Sequence, residues 1–151
     1  KTIARFQAGA ILMHMQGTPE TMQDNPKYVD LLTEISTFLN QSINVAVSAG
    51  IDPEKIAIDP GIGFGKTDSH NLLILKNLSR LKKLGKPVLL GISRKSLIGN
   101  ILNVPVEQRL EGSLSAAVFG VMQGASIIRT HDVQATQRAV KVAESIMKEE
   151  G

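Results

Sequence analysis

The segment DPGIGFGKT, residues 59–67, carries the residue types of a phosphate-binding loop but not their spacing. Gly65-Lys66-Thr67 matches the end of the P-loop pattern G-x-x-x-x-G-K-[ST], whereas Pro60 stands where the first glycine belongs. Proline has no N–H to offer a phosphate. The dinucleotide fingerprint G-x-G-x-x-G fails as well, because Lys66 takes the place of its third glycine. We therefore expect no nucleotide site in this loop.

Asp59 follows the apolar run KIAID and opens this glycine-rich loop. A carboxylate at the end of a buried strand could accept paired N–H donors from a heterocycle, or it could satisfy the amides of the turn. Gly61, Gly63 and Gly65 either let the backbone approach a ligand closely or simply form a tight turn. Phe64 could form a pocket wall, although a single phenylalanine is more often part of the core.

Arg129 and His131 are spaced i, i+2 near the end of another apolar run, SIIRT. In a continuing strand their side chains would leave on the same side, with Thr130 and Asp132 on the other. An arginine and a histidine converging there suit an anion such as phosphate. The alternative is structural, with Arg129 paired to a helix carboxylate and His131 capping a loop.

The segment GISRKS, residues 91–96, places Ser93, Arg94, Lys95 and Ser96 just beyond a third apolar run. Hydroxyls and cations there could hold an oxyanion or a carbonyl, although such a segment alone is more often a solvated loop. Together with residues 129–131, this segment becomes a stronger candidate for an anion-binding site. If the chain is the carboxy half of a barrel, these loops follow its seventh and eighth strands, where barrels often bind phosphate.

Four apolar runs predict the strands that position these side chains, namely residues 10–15, 55–59, 87–92 and 126–130. They are near-continuous rather than alternating, as expected of parallel strands buried on both faces. Met13 and Met15 share one face of the first run, where core packing is more ordinary than pocket lining. His14 and His70 have no partner visible in the sequence, and we assign them no role.

Helical periodicity follows each predicted strand, which gives an α/β chain of four parallel (βα) units. An open doubly wound sheet and half of a TIM barrel both fit this pattern. Long connections at 16–26 and 93–109 would lie at the carboxyl ends of strands, where functional loops gather. The predicted helices are a segment from Tyr28 through Leu39 ending at Gly50, one at 72–81 capped by Asp68-Ser69 and ended by Gly85, one at 110–124, and one marked by Ala139, Ala143 and Ile146.

Composition narrows the classes of protein. The chain has 151 residues, a net charge of +3, no cysteine, four phenylalanines and one tyrosine. Few aromatic residues and no dense Lys/Arg run argue against nucleic-acid binding, and no apolar run approaches the ~20 residues of a membrane span. The lack of cysteine agrees with a cytoplasmic location. Residues 1–10 look like a helix end running into a strand, so the chain is expected to begin within a domain.

Five motifs together resemble the dihydropteroate synthase family, whose members are pterin-binding TIM barrels. The resemblance implies that the chain is a single-domain fragment, residues 1–151, comprising strands five to eight of the barrel. It also implies a cytoplasmic homodimeric transferase of folate biosynthesis that is a sulfonamide target. The motifs, in the family's order, are LMHMQGTPETMQ, DPGIGFGK, LLGISRKSLIG, RLEGSLSAAV and IIRTHDV.

The implied reaction joins 4-aminobenzoate to a hydroxymethyl-dihydropterin diphosphate, with loss of diphosphate and with Mg²⁺ sharing its charge. By resemblance, Asp59 and Lys95 contact the pterin, and Arg129 and His131 bind the diphosphate. No metal ligand is implied in this chain, since that residue lies in the family's amino-terminal half. The remaining implied substrate-binding residues are Met13 and Gly91 in the pterin pocket, Phe64 and Ser96 in the aminobenzoate site, and Gly63 and Thr130.

The family's amino-terminal half, with four further strands and part of the pterin clamp, is not in this sequence. The chain alone is therefore expected to be an incomplete enzyme. Two alternatives stay open at this point: a pterin-binding barrel with methyltransferase-type chemistry, and an inactive half-barrel that only self-associates through its exposed strand edges.

Overall fold

The computed structural model of the protein describes residues 1–149, which contain four strands, six α-helices and three short 3₁₀ segments. The strands are β1 Ala10–Met13, β2 Ile56–Asp59, β3 Leu89–Gly91 and β4 Ile127–Arg129. Each lies within its predicted apolar run and is one to three residues shorter than that run. The α/β prediction with parallel strands is confirmed.

All recorded strand pairings are parallel, and the strands neighbour one another in chain order. β1 pairs with β2 so that Met13 faces Asp59, and β3 pairs with β4 so that Gly91 faces Arg129. A single parallel bridge between Ile58 and Val88 joins the two pairs. The order β1-β2-β3-β4 has no reversal, unlike the strand order of a doubly wound sheet. The carboxyl ends of all four strands therefore meet at one edge.

The helices alternate with the strands, as the (βα) pattern predicts. Leu31, Ile35 and Leu39 of α2 are buried against the sheet, and they repeat at the spacing of one helix face. The α-helices are α1 Thr2–Arg5, α2 Leu31–Ser48, α3 Asp68–Lys76, α4 Ser96–Leu102, α5 Leu110–Met122 and α6 Val133–Lys148, and the 3₁₀ segments are Pro53–Lys55, Leu78–Leu84 and Val106–Gln108.

Two predicted helices begin or end elsewhere. α2 starts at Leu31 because the Asp30 side chain caps it by accepting from Thr33 N, so Tyr28 lies outside the helix. The helix predicted over 72–81 is not continuous, since α3 ends at Lys76 and a 3₁₀ segment follows. At the break, the Asn77 side chain donates to the carbonyl of Leu73 and competes with the helical pattern.

Three further details differ from the sequence prediction. The α3 cap is Thr67 rather than Asp68-Ser69, because its hydroxyl accepts from His70 N. The connection 93–109 contains α4 Ser96–Leu102. In α6, Ala143 is buried but Ile146 is 71% exposed, so Ile146 is not a core position.

The core lies between the sheet and α2, α3 and α4, and it includes Ile58, Leu90 and Ile92, each at most 1% exposed. In contrast, Ile11 of β1 is 57% exposed and Val45 of α2 is 71% exposed. The side of the sheet at β1 therefore leaves apolar residues uncovered. Among residues 1–149, no helix is long and apolar enough to cross a membrane.

Candidate active site at the carboxyl ends of the strands

A cleft of about 290 Å³ opens where β3 and β4 end. Arg94 and Lys95 line it from the loop after β3, and Arg129 lines it from the end of β4. This is the convergence that the sequence predicts for 91–96 and 129–131. We name this the basic cleft, and its lining residues are Gly91, Ser93, Arg94, Lys95, Arg129, Thr130 and His131.

Asp59, at the end of β2, combines the two roles that its sequence position allows. Its Oδ1 accepts from the backbone N–H of Gly61 at 2.7 Å, so the turn-amide interpretation holds for this oxygen. Within residues 1–149, Oδ2 accepts no hydrogen bond. Burial raises the pKa of Asp59, while the Gly61 bond and the charges of Lys95, Lys66 and Arg129 act to lower it. A ligand that donates N–H bonds would find one partly desolvated carboxylate oxygen here.

The glycine loop, residues 60–66, is held in place by partners from three directions. The N–H of Gly63 donates to Asn71 Oδ1 at 2.9 Å, and the carbonyl of Gly65 accepts from Tyr28 Oη at 2.7 Å. The carbonyl of Gly63 accepts from the Gln23 side chain at 2.6 Å. Gly61, with φ 70°, could not be replaced without strain, because an added Cβ would clash with the carbonyl of His14. The loop is thus a fixed surface.

Lys95 joins the glycine loop to the basic cleft. Its ammonium lies 4.6 Å from the centroid of the Phe64 ring and donates to the carbonyl of Ile62. Burial lowers the pKa of Lys95, an effect opposed by Asp59 and reinforced by Arg129. One cation therefore faces the candidate carboxylate, an aromatic ring and the second cation of the cleft.

Arg129 and His131 are both exposed at the cleft. His131 interacts with Ser93 twice, through its backbone N–H at 3.2 Å and through Nδ1 at 3.0 Å, so the loop-capping interpretation also holds. The helix-carboxylate partner considered for Arg129 is wrong within the described residues, whose ion pair is Arg94–Asp132. The Arg129 guanidinium is consequently available to an anion.

The sequence does not predict the ion pair between Arg94, which lines the basic cleft, and Asp132, which does not. Arg94 Nε and Nη2 donate to the two oxygens of Asp132 at 2.9 and 2.6 Å, a bidentate geometry. Arg94 adopts φ 57°, and its backbone is fixed by Ser113 Oγ at 2.9 Å and by Arg109 Nη1 at 2.9 Å. The pair ties the loop that carries Lys95 to the loop that carries His131.

The two histidines without an assigned role are both structural partners. His14 is buried, and its Nδ1 lies 2.9 Å from Nζ of the buried Lys66. His70 completes the capping box of α3 with Thr67. No local spacing connects His14 with Lys66, because 52 positions separate them.

Comparison with known proteins places this geometry in a family. Residues 1–131 match the family described as "Pterin binding enzyme". The chain belongs to the pterin binding enzyme family. It is 48% identical over 136 residues to the dihydropteroate synthase of Escherichia coli K12, covering 90% of this chain and 48% of that protein. The Haemophilus influenzae dihydropteroate synthase is 44% identical over 142 residues, covering 94% of this chain and 52% of that protein.

Solved structures give the same result for the fold. A Yersinia pestis dihydropteroate synthase with a sulfonamide drug superposes with a TM-score of 0.95 at 46% identity, covering 97% of this chain and 54% of that one. A Xanthomonas albilineans dihydropteroate synthase with 4-aminobenzoic acid has a TM-score of 0.91 at 40% identity, covering 98% and 52%. This pterin binding enzyme chain spans about half the length of the relatives it matches.

The remaining predicted site residues of this pterin binding enzyme chain occupy several positions. Met13 faces Asp59 across the β1–β2 pairing, and Gly91 faces Arg129 across β3–β4. The Thr130 hydroxyl lies 3.0 Å from that of Thr136. Ser96 is exposed as the first residue of α4 and is not among the residues that line the basic cleft. The structure thus groups the other predicted residues around the strand ends and leaves Ser96 outside the basic cleft.

Proposed function

We propose that this chain is the carboxy-terminal half of a dihydropteroate synthase. That enzyme would condense 4-aminobenzoate with 6-hydroxymethyl-7,8-dihydropterin diphosphate to give 7,8-dihydropteroate and diphosphate in folate biosynthesis. The carrying observation is the set of Asp59, Lys95 and Arg129, whose charges act on one another at the shared end of β2, β3 and β4. A carboxylate for N–H donors and cations for a diphosphate thus lie side by side.

The same proposal assigns the fold to half of a TIM barrel, with residues 1–151 as one fragment that contains strands five to eight. Sequential parallel order from β1 to β4 supports it, because barrel strands follow one another around the ring. Ile11 of β1 and Val45 of α2 are uncovered on the side of the sheet where a preceding strand and helix would pack. Strands one to four would belong to the amino-terminal half of the barrel.

In this proposal Asp59 and Lys95 hold the pterin. The free Oδ2 of Asp59 accepts from the pterin N–H and amino groups, and the Lys95 ammonium donates to ring acceptors. Gly63, Gly91 and Met13 line the space between them. The negative charge of the Asp59 carboxylate increases the electron density of the pterin ring. This stabilises the positive charge that develops on the methylene carbon of the pterin.

The arylamine nitrogen attacks that methylene carbon as the carbon–oxygen bond to diphosphate breaks. The electron pair leaves with the diphosphate, and the nitrogen then loses its proton. Arg129 and His131 stabilise the growing negative charge, with Thr130 beside them in the same cleft. Phe64 and Ser96 form part of the aminobenzoate site. No nucleophilic side chain is required, since the amine reacts directly.

Magnesium would enter with the diphosphate and share its charge. Within residues 1–149, no group of three His, Cys, Asp or Glu side chains could hold a metal ion. We assign no step of the reaction to Mg²⁺ in this half.

Release of diphosphate tests the function. The chain would be mixed with the dihydropterin diphosphate and 4-aminobenzoate, with and without a separately expressed amino-terminal half. We expect release that requires both halves and both substrates. Methyl transfer from a folate without diphosphate release would favour the methyltransferase-type barrel. A product-free assembly of this chain with itself would favour the inactive self-associating half.

We further propose a cytoplasmic homodimer that pairs through α5 and α6. Both helices expose apolar side chains, among them Met122 at 59% and Val142 at 62%. Covering such residues is the ordinary drive for symmetric association. Sedimentation at roughly tens of micromolar protein would show a dimer. A clean monomer there would contradict this part of the proposal.

A further inference from the structure

Lys66 completes the P-loop-like sequence, but it is buried and does not line the basic cleft. Its side chain is among the most buried charged groups, at 3% exposed. Nζ donates to the carbonyl of Phe64 at 2.9 Å and lies 2.9 Å from Nδ1 of His14. An ammonium has only donors, so Nδ1 is the acceptor and the His14 proton resides on Nε2.

The charged groups around Lys66 come from three elements. Burial lowers its pKa to about 7, Asp59 at the end of β2 opposes that shift, and Lys95 before α4 adds to it. Burial and the Lys66 charge lower the pKa of His14 to about 4, while Glu34 of α2 acts in the opposite direction. Lys66 is therefore the ionisable group beneath the glycine loop that changes charge near neutral pH.

Two features of the candidate site depend on where this ammonium lies. The first is Phe64, whose carbonyl is fixed from below by Lys66 while its ring lies under the Lys95 ammonium. The second is Asp59, which has Lys66 among the charges that lower its pKa. Lys95 acts on Asp59 from the open side of the loop, and Lys66 acts from the buried side.

We propose that Lys66 is a positioning residue for ligand recognition by Asp59. Its buried ammonium fixes the glycine loop through the Phe64 carbonyl and holds Asp59 as a carboxylate, ready for a heterocycle that donates paired N–H bonds. The identification of the heterocycle as a pterin rests on the proposed function. The coupling between the Lys66 and Asp59 charges is independent of that function, because it exists in the chain without ligand.

The first experiment measures that coupling by NMR in the ligand-free 151-residue chain. The Lys66 Nζ and Asp59 carboxyl resonances are titrated in wild type, Lys66→Met, Lys66→Arg and Asp59→Asn. Lys66 should titrate near pH 7, and its midpoint should fall in Asp59→Asn. Asp59 should titrate about one unit higher in Lys66→Met. Lys66→Arg should keep Asp59 near its wild-type midpoint, because arginine stays charged.

Methionine fills nearly the same volume as lysine without its charge, so circular dichroism should show that Lys66→Met keeps the fold. If Lys66→Met unfolds, the shift of the Lys66 midpoint in Asp59→Asn measures the same coupling. An Asp59 midpoint that is equal in wild type and Lys66→Met, or a Lys66 midpoint unmoved by Asp59→Asn, would overturn the proposal.

The second experiment adds pterin to the chain supplied with the amino-terminal half and follows binding by calorimetry at pH 6, where Lys66 is charged. Lys66→Met should bind about tenfold more weakly than wild type, because Asp59 loses a neighbouring positive charge and the Phe64 carbonyl loses its donor. Lys66→Arg should bind close to the wild-type level, because arginine keeps the charge. Equal affinities in Lys66→Met and Lys66→Arg would contradict the positioning role. Failure of wild type to bind pterin with the amino-terminal half supplied would instead reject the proposed function, with the charge coupling still judged by NMR.

Discussion

The glycine loop and the basic cleft lie side by side at the same sheet edge but are built differently. Loop residues Gly63 and Gly65 are held by hydrogen bonds from Asn71, Gln23 and Tyr28. In the basic cleft, Arg129 and His131 are exposed residues, and His131 Nδ1 lies 3.0 Å from Ser93 Oγ. The loop is a fixed surface with a single carboxylate, and the cleft is an accessible group of cations.

Under the proposed function, this difference matches the ligand that each region would recognise. A planar heterocycle is distinguished by the positions of its donors and acceptors, which requires partners fixed in advance. A leaving diphosphate carries charge on many equivalent oxygens, so exposed cations can reach it without one fixed geometry. Lys95 contacts both regions, since it touches Ile62 and Phe64 of the loop and also lines the cleft.

Removing the carboxylate should produce the largest effect. In a complete enzyme, Asp59→Ala should weaken pterin binding by about 2–4 kcal/mol, because buried donors of the ligand would lose their acceptor. Calorimetry with pterin measures the change. Asp24→Ala, which removes an exposed carboxylate, is the matched control and should leave the affinity as it is. Near-wild-type affinity of Asp59→Ala would remove Asp59 from the site.

A comparison of two glycines tests the rigidity of the loop. Gly61 and Gly85 adopt φ 70° and 66°, but an added Cβ meets the carbonyl of His14 at Gly61 and nothing within 4 Å at Gly85. Both alanine variants carry a left-handed penalty of about 1–2 kcal/mol. The free energy of unfolding of Gly61→Ala should fall by a further ~1–3 kcal/mol because of overpacking. Equal unfolding free energies by urea denaturation would show that the loop yields easily.

The basic cleft should give a smaller effect on a weaker ligand. Diphosphate should bind this half alone at around millimolar, about −4 to −5 kcal/mol, chiefly through the bidentate guanidinium of Arg129. Arg129→Ala should weaken binding at least tenfold, or ~1.4 kcal/mol. Arg138→Ala, which removes an exposed arginine of α6, is the control. Equal losses of diphosphate affinity in Arg129→Ala and Arg138→Ala would mean that only the net charge of the chain determines binding.

The sequence predicts the strands and the meeting of Asp59, Lys95 and Arg129 because both follow from simple rules. Parallel strands buried on both faces have near-continuous apolar runs, and their carboxyl ends share one edge. It does not predict the inward direction of Lys66, because its partner His14 is 52 positions away and the loop conformation sets its path. The Arg94–Asp132 pair, 38 positions apart, was missed for the same reason.

Helix ends were predicted less well than helix existence. The apolar stripe at Leu72, Leu75, Leu78 and Leu81 continues across α3 and the following 3₁₀ segment, so periodicity alone gives no sign of the break at Asn77. The signal that could have located it is the asparagine itself, whose side chain competes for backbone carbonyls. Capping residues were therefore more informative than the stripe.

The division between the two regions is tested most directly by NMR titration of the chain with pterin and, separately, with diphosphate. Pterin should shift the resonances of Asp59 and Gly61–Lys66 and leave Arg129 and His131 nearly unchanged. Diphosphate should shift Arg129 and His131 and leave the glycine loop nearly unchanged. If diphosphate instead shifts Gly61–Lys66 and neither Arg129 nor His131, the phosphate site is the glycine loop and the account of both regions is wrong.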